Sequence, residues 1–133
     1  MKKIFRDIFL YFVLITFMSI SNTFAASSDS SSNNFVKSTD YYAAKDFIAK
    51  GSYKEAIAIL KEIEKETPKD ADIQNYLGFS YRKMGKLDLA AFYYDKALTL
   101  NPKHKGALEY QGEMYLRMNE VDKAKENLKR LDK

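Results

Sequence analysis

From Tyr76 to Pro102 the chain reads YLGFSYRKMGKLDLAAFYYDKALTLNP, with apolar and small residues at helical spacing. The pattern predicts two helices, broken at MGKLD and closed by Asn101-Pro102. The same pattern recurs without a gap at a spacing of 34 residues, in segments 37–70, 71–104 and 105–133. Ala44, Gly78 and Gly112 share one column, and Phe47, Tyr81 and Tyr115 another. Gly51, Gly85 and Asn119 follow, then Tyr53, Leu87 and Val121, then Ala56, Ala90 and Ala124. Leu60, Tyr94 and Leu128 align, as do Ile63, Ala97 and Leu131, and Pro68 and Pro102 close the first two units. Two helices per unit predict six helices over 37–133 and almost no strand.

Each column has a physical reason. The small residues let two antiparallel helices approach closely, and Phe47, Tyr81, Tyr115, Leu60, Tyr94 and Leu128 are expected to fill the space around the crossing. Gly51, Gly85 and Asn119 stand where a helix ends in the left-handed conformation, which Gly and then Asn tolerate best. Pro68 and Pro102 lack a backbone donor and stop the second helix of each unit.

A 34-residue helix–turn–helix with small, aromatic, Gly, Ala and Pro positions in this order resembles the tetratricopeptide repeat. The middle unit carries the resemblance best, through Leu77-Gly78, Tyr81, Gly85, Ala90, Tyr94, Ala97 and Pro102. Asp40 and Gln74 depart from it, standing where the family has a large aromatic, and the third unit lacks its closing Pro. The resemblance implies an all-α fold, a right-handed solenoid of three repeats. Lys125 and Asp132 turn two columns charged in the last unit, so the outer face of its last helix is expected to meet water.

The N-terminus follows a different pattern. Lys2, Lys3 and Arg6 precede an apolar run from Ile8 to Ile20, and small and polar residues follow up to Ala25 and Ala26. That order predicts a secretory signal peptide over 1–25, with Thr23 and Ala25 at its small-residue positions and cleavage between Ala25 and Ala26. The alternative is an uncleaved inner-membrane anchor, but a helix needs about 20 apolar residues to span a bilayer. Segment 26–36 opens as ASSDSSSNN and is expected to be a flexible tether, the folded part beginning between Phe35 and Asp40.

Composition narrows the chemistry. The chain holds 22 basic and 18 acidic residues, but three of those bases and one acid lie within 1–25, leaving a net charge of +2 on the rest. Those charges alternate in sign, so no basic patch points to nucleic acid. Cys is absent, which excludes disulfides, thiolate metal sites, a thiol nucleophile and a lipoprotein anchor. The lone His104 reads as a solvated linker residue whose replacement should matter little. Glu109 and Glu113 share a helix face but lack a second set of ligands for a cation. With no phosphate loop or zinc-protease motif, neither a catalytic residue nor a cofactor is expected.

What remains is binding. Of the ten Tyr and nine Phe, one Tyr and five Phe lie within 1–25; the rest recur mostly at repeat columns and are explained by packing, but Tyr41, Phe79 and Tyr93 fall outside the crossing columns and are expected to be exposed. The resemblance implies a groove lined by the first helix of each unit. Its columns here are Tyr41, Lys45 and Ile48, then Asn75, Phe79 and Arg82, then Glu109, Glu113 and Leu116. The alternative for this stripe is a merely solvated face. The Lys/Asn clamp that some family members use for a terminal carboxylate is not matched, since Phe79 and Glu113 occupy two of its columns. Phe79→Ala is expected to weaken capture of a partner without disturbing folding. The expected function is a non-enzymatic, exported, periplasmic scaffold that holds a peptide or partner helix, with membrane contact only through the signal segment. The alternative is an accessory subunit packed permanently on one larger envelope protein. Mass spectrometry of exported protein should find a mature N-terminus at Ala26, and an intact Met1 species held in the membrane would contradict it.

Overall fold

The structure is a computed structural model that describes residues 30–132, with side chains from Thr39 onward. Its helices are α1 (Ser30–Ala49), α2 (Tyr53–Glu66), α3 (Ala71–Lys83), α4 (Leu87–Leu100), α5 (Lys105–Arg117) and α6 (Val121–Leu131). No strand occurs among the described residues. The helices pack in chain order from α2 to α6, and α3 also touches α5. Three helical hairpins therefore stack as a solenoid, α1 joining through Ala44, which clusters with Leu60 of α2 and Ile73 of α3. The expected signal cleavage site at Ala25 and Ala26 lies outside the described residues.

The hairpin turns are built alike because their sequences place the same backbone need at the same column. Gly51, Gly85 and Asn119 have φ of 76°, 74° and 61°. In each turn the next residue donates its N–H back to the helix: Ser52 to the Phe47 carbonyl at 2.8 Å, Lys86 to Tyr81 at 3.0 Å and Glu120 to Tyr115 at 2.8 Å. These bonds satisfy carbonyls that the ending helix leaves unpaired. The turns between units have their own shared bond, Asp70 N–H to the Thr67 carbonyl and His104 N–H to Asn101.

At the crossings Ala44, Ala56 and Ala90 are fully buried and Ala124 is 9% exposed. The approach is tightest in the middle unit, where a Cβ on Gly78 would lie 2.7 Å from the Tyr94 ring. Around these contacts, Ala44, Leu60, Ile63, Ile73, Leu77 and Tyr93 form one cluster. Tyr94, Ala97, Leu98, Leu108 and Met114 anchor a second with Ala90.

Three expectations are corrected. Helix α1 begins at Ser30, so residues 30–36 extend a helix where a flexible tether was expected. Propagation adds one hydrogen bond per residue fixed, and Ser and Asn cost a helix under about 1 kcal/mol each. Tyr93 is 6% exposed, because its ring stacks on Tyr81 with centroids 5.4 Å apart. Lys61 and Lys96 close over it, both hydrogen-bonded to Glu64, at 2.6 and 2.5 Å. Burial works to raise the Glu64 carboxyl, but the two lysine hydrogen bonds outweigh it and hold it below its ordinary value. Finally, Leu128 does not fill the last crossing: it is 59% exposed, while Leu60 and Tyr94 in its column are fully buried by the following unit.

The two helical glycines separate tight from loose crossings. A Cβ on Gly112 would meet nothing closer than the Asn127 Cβ at 3.8 Å. Gly112→Ala is therefore expected to stabilise by about 0.5–1 kcal/mol through reduced unfolded-state freedom. Gly78→Ala should destabilise by about 1–3 kcal/mol by driving a methyl into the Tyr94 ring. Denaturant midpoints of the two variants against the parent check both signs.

A candidate protein-binding face on the first helices

Helices α1, α3 and α5 carry a band of rings. The Tyr41 ring meets Tyr42 and Tyr76 edge-on, each at 5.9 Å between centroids. Phe79 lies 5.0 Å from Tyr110 and 6.3 Å from Tyr53. Cations sit over these rings: Lys45 at 5.6 Å from Tyr41 and 5.9 Å from Tyr76, and Lys83 at 5.3 Å from Phe79. Burial and the hydrogen bond with Tyr76 push the Tyr41 phenol up, so this part of the band stays neutral. One column of the band was open to detection by sequence and was missed. Tyr42, Tyr76 and Tyr110 stand 34 residues apart, a Tyr in all three units.

The nine residues expected to line one groove divide three ways. Tyr41 and Phe79 are half-buried in the ring band and Lys45 is exposed beside it, whereas Ile48 packs on the first core cluster. Asn75 and Arg82 are each 5% exposed and so do not line an open surface. Their burial follows from stacking, because α5 closes over α3. Gly106 makes room for Asn75, whose Nδ2 lies 3.2 Å from where a Cβ would stand. Arg82 spans two units: Nε donates to the Tyr94 hydroxyl at 3.3 Å and Nη1 to Glu113 Oε2 at 3.0 Å. Its guanidinium also lies over Phe79 and Tyr110, at 5.3 and 5.6 Å. Burial pushes the Tyr94 phenol up even though Arg82 opposes it. Glu109, Glu113 and Leu116 are exposed and line a separate groove between α5 and α6. Phe79 is thus a packed ring as well as a surface one, and its removal is expected to cost stability.

No group of three or more His, Asp or Glu that could hold a metal occurs among the described residues. The face offers rings and cations for contact, and the separate groove between α5 and α6 offers carboxylates.

The profile of the tetratricopeptide repeat matches residues 71–104, and a second profile of that repeat matches 107–133. Residues 71–104 and 107–133 are therefore similar to tetratricopeptide repeats. The uncharacterized protein ycf37 of Guillardia theta is 39% identical over 56 residues, 42% of this chain and 32% of that protein. The chain thus matches about a third of that relative's length. Among solved structures, MamA (41-end) from Desulfovibrio magneticus RS-1 superposes with a TM-score of 0.65 at 23% identity, covering 68% of this chain and 51% of MamA. The first TPR of Spaghetti (RPAP3), bound to the HSP90 peptide SRMEEVD, gives a TM-score of 0.66 at 18% identity, covering 71% and 75%. At these identities the likeness concerns the fold. The likeness supports the all-helical solenoid fold.

The unit boundary at His104 corrects one more expectation. His104 is the N-cap of α5, its Nδ1 accepting the Ala107 N–H at 3.1 Å. Nε2 then carries the proton and donates to Asp72 Oδ1 at 2.8 Å, tying the start of α5 to the start of α3. Asp70, in the same column, caps α3 by accepting from Asp72 and Ile73. His104→Ala is expected to lower stability by about 1 kcal/mol, a typical N-cap loss, and His104→Asn to keep most of it. Equilibrium denaturation of both variants checks the ordering.

Proposed function

We propose that this tetratricopeptide chain is a non-enzymatic scaffold that holds a peptide or partner helix against the face built by α1, α3 and α5. The observation that carries the reading is the ring band from Tyr42 through Tyr76 and Phe79 to Tyr110, lying on successive first helices with Lys45 and Lys83 over it. Rings supply large contact area with few torsions to freeze, which suits them as anchors in a binding face. Tyr42 is 66% exposed, more than a packing role needs. The bound segment takes apolar side chains onto the rings and carries acidic groups that meet Lys45 and Lys83. Export to the periplasm belongs to the same proposal and rests on the order of basic, apolar and small residues over 1–25.

Panning a displayed random-peptide library against the full chain tests the face. Selected peptides should lose about tenfold or more in affinity on Tyr42→Ala with the melting curve unchanged. Phe79→Ala should weaken them similarly while also lowering stability by about 1 kcal/mol through lost ring packing. Peptides that bind the parent and both variants equally would show that the partner sits elsewhere.

A further inference from the structure

We propose that two copies of this chain pair through the α5–α6 end face about a two-fold axis. A groove of about 260 Å³ runs between α5 and α6, floored by Gly112 and Ala124 and flanked by Leu116, Leu128 and Leu131. Leu116 is 58% exposed and Leu128 59%. In the earlier units the equivalent surface is an established interface. Ile73 and Leu77 of α3 close over Ala44, Leu60 and Ile63, and Leu108 of α5 closes over Tyr94, Ala97 and Leu98. The groove is that same stacking surface with its apolar residues left exposed among the described residues, and exposed apolar patches of this kind mark interaction sites.

The columns say what does not cover it. Head-to-tail stacking would lay α1 of another copy in the groove. Where α3 presents Ile73, Gln74, Leu77 and Ser80, α1 presents Thr39, Asp40, Ala43 and Asp46. Thr39, Asp40 and Asp46 are exposed, so α1 would bring two carboxylates and no large apolar residue to the leucines. The end face itself fits better. Its α5 edge carries Glu109 and Glu113, the second held on Arg82, and its α6 edge carries Lys125, which also lies 3.7 Å from Asp122 of its own helix. A two-fold axis parallel to the helices sets α5 of one copy against α6 of the other. It joins the leucines at the centre and brings each acidic edge to a basic one, twice over. The contact is isologous and closes at two copies, so it builds no filament.

Sedimentation velocity and light scattering of the full chain test this, using substitutions confined to the end face. The parent should be a concentration-dependent dimer, and Leu128→Glu should yield monomer with unchanged helix content. Glu109→Lys and Lys125→Glu should each weaken dimerisation about tenfold or more, by setting like charges opposite one another. An equimolar mixture of those two variants should recover the parent affinity, since the mixed pair restores opposite charges at both edges. Only two-fold pairing of these edges predicts that recovery. A parent that stays monomeric, a dimer that survives Leu128→Glu, or a mixture no tighter than its components overturns the proposal. So does a monomer that instead takes an amphipathic helix of another protein in this groove.

Discussion

Of the five glycines, Gly78 stands in the tightest place, where one added carbon would lie 2.7 Å from the Tyr94 ring. Much of the rest follows from that contact. A helix pair this close needs a residue without a side chain at one point and a flat, large one opposite. With Tyr94 fully buried there, its hydroxyl reaches Arg82, and Arg82 in turn reaches Glu113 on the next unit. A steric fact inside one hairpin thereby sets a polar link between two. The buried guanidinium has the hydroxyl, the carboxylate and two ring faces around it, the conditions under which a buried charge is tolerated.

The third unit solves the same crossing differently. Gly112 meets no ring, and Asn127 is buried where the middle unit has Tyr93. Asn127 donates to the Gln111 side chain at 2.9 Å and to the Leu108 carbonyl at 3.3 Å, while Gln111 donates to Asp95 at 2.7 Å. A polar relay thus replaces part of the ring packing and links α4, α5 and α6. The exchange leaves the unit with less large apolar residue at the crossing, and two of its leucines, Leu116 and Leu128, point outward.

How much of this the sequence could disclose depends on whether a property belongs to a residue or to its neighbours. The left-handed turns at Gly51, Gly85 and Asn119 and the small residues at the crossings were legible, because each follows from one backbone requirement repeated at a fixed spacing. The groove was legible only in part. Reading nine residues as one stripe treats a column as having one fate in every unit. Burial, however, depends on what stacks next. Ile48 and Arg82 are covered by the following unit, and Leu116 in the same column has none of the described residues to cover it. The Tyr42, Tyr76 and Tyr110 column escaped notice because it carries no mark of the helix crossing, although its spacing alone betrays it. His104 was misread for the opposite reason. A lone loop histidine looks solvated until its column partner Asp70 is seen to be a cap.

Glu113 belongs to both surfaces. It lines the end groove between α5 and α6, and it is also the carboxylate that holds Arg82 beneath Phe79 and Tyr110. Its side chain is half exposed while that of Arg82 is 3% exposed, so the two partners stand in different surroundings. Water can take over the solvation of Glu113 if it swings away, but nothing comparable reaches the guanidinium. Breaking the pair therefore costs most on the Arg82 side, where an uncompensated buried charge would be left under the rings. That asymmetry favours holding Glu113 on Arg82 whatever else approaches the groove. It leaves Glu109, one helical turn earlier and exposed, as the acid of that edge with more freedom to meet a basic side chain from outside.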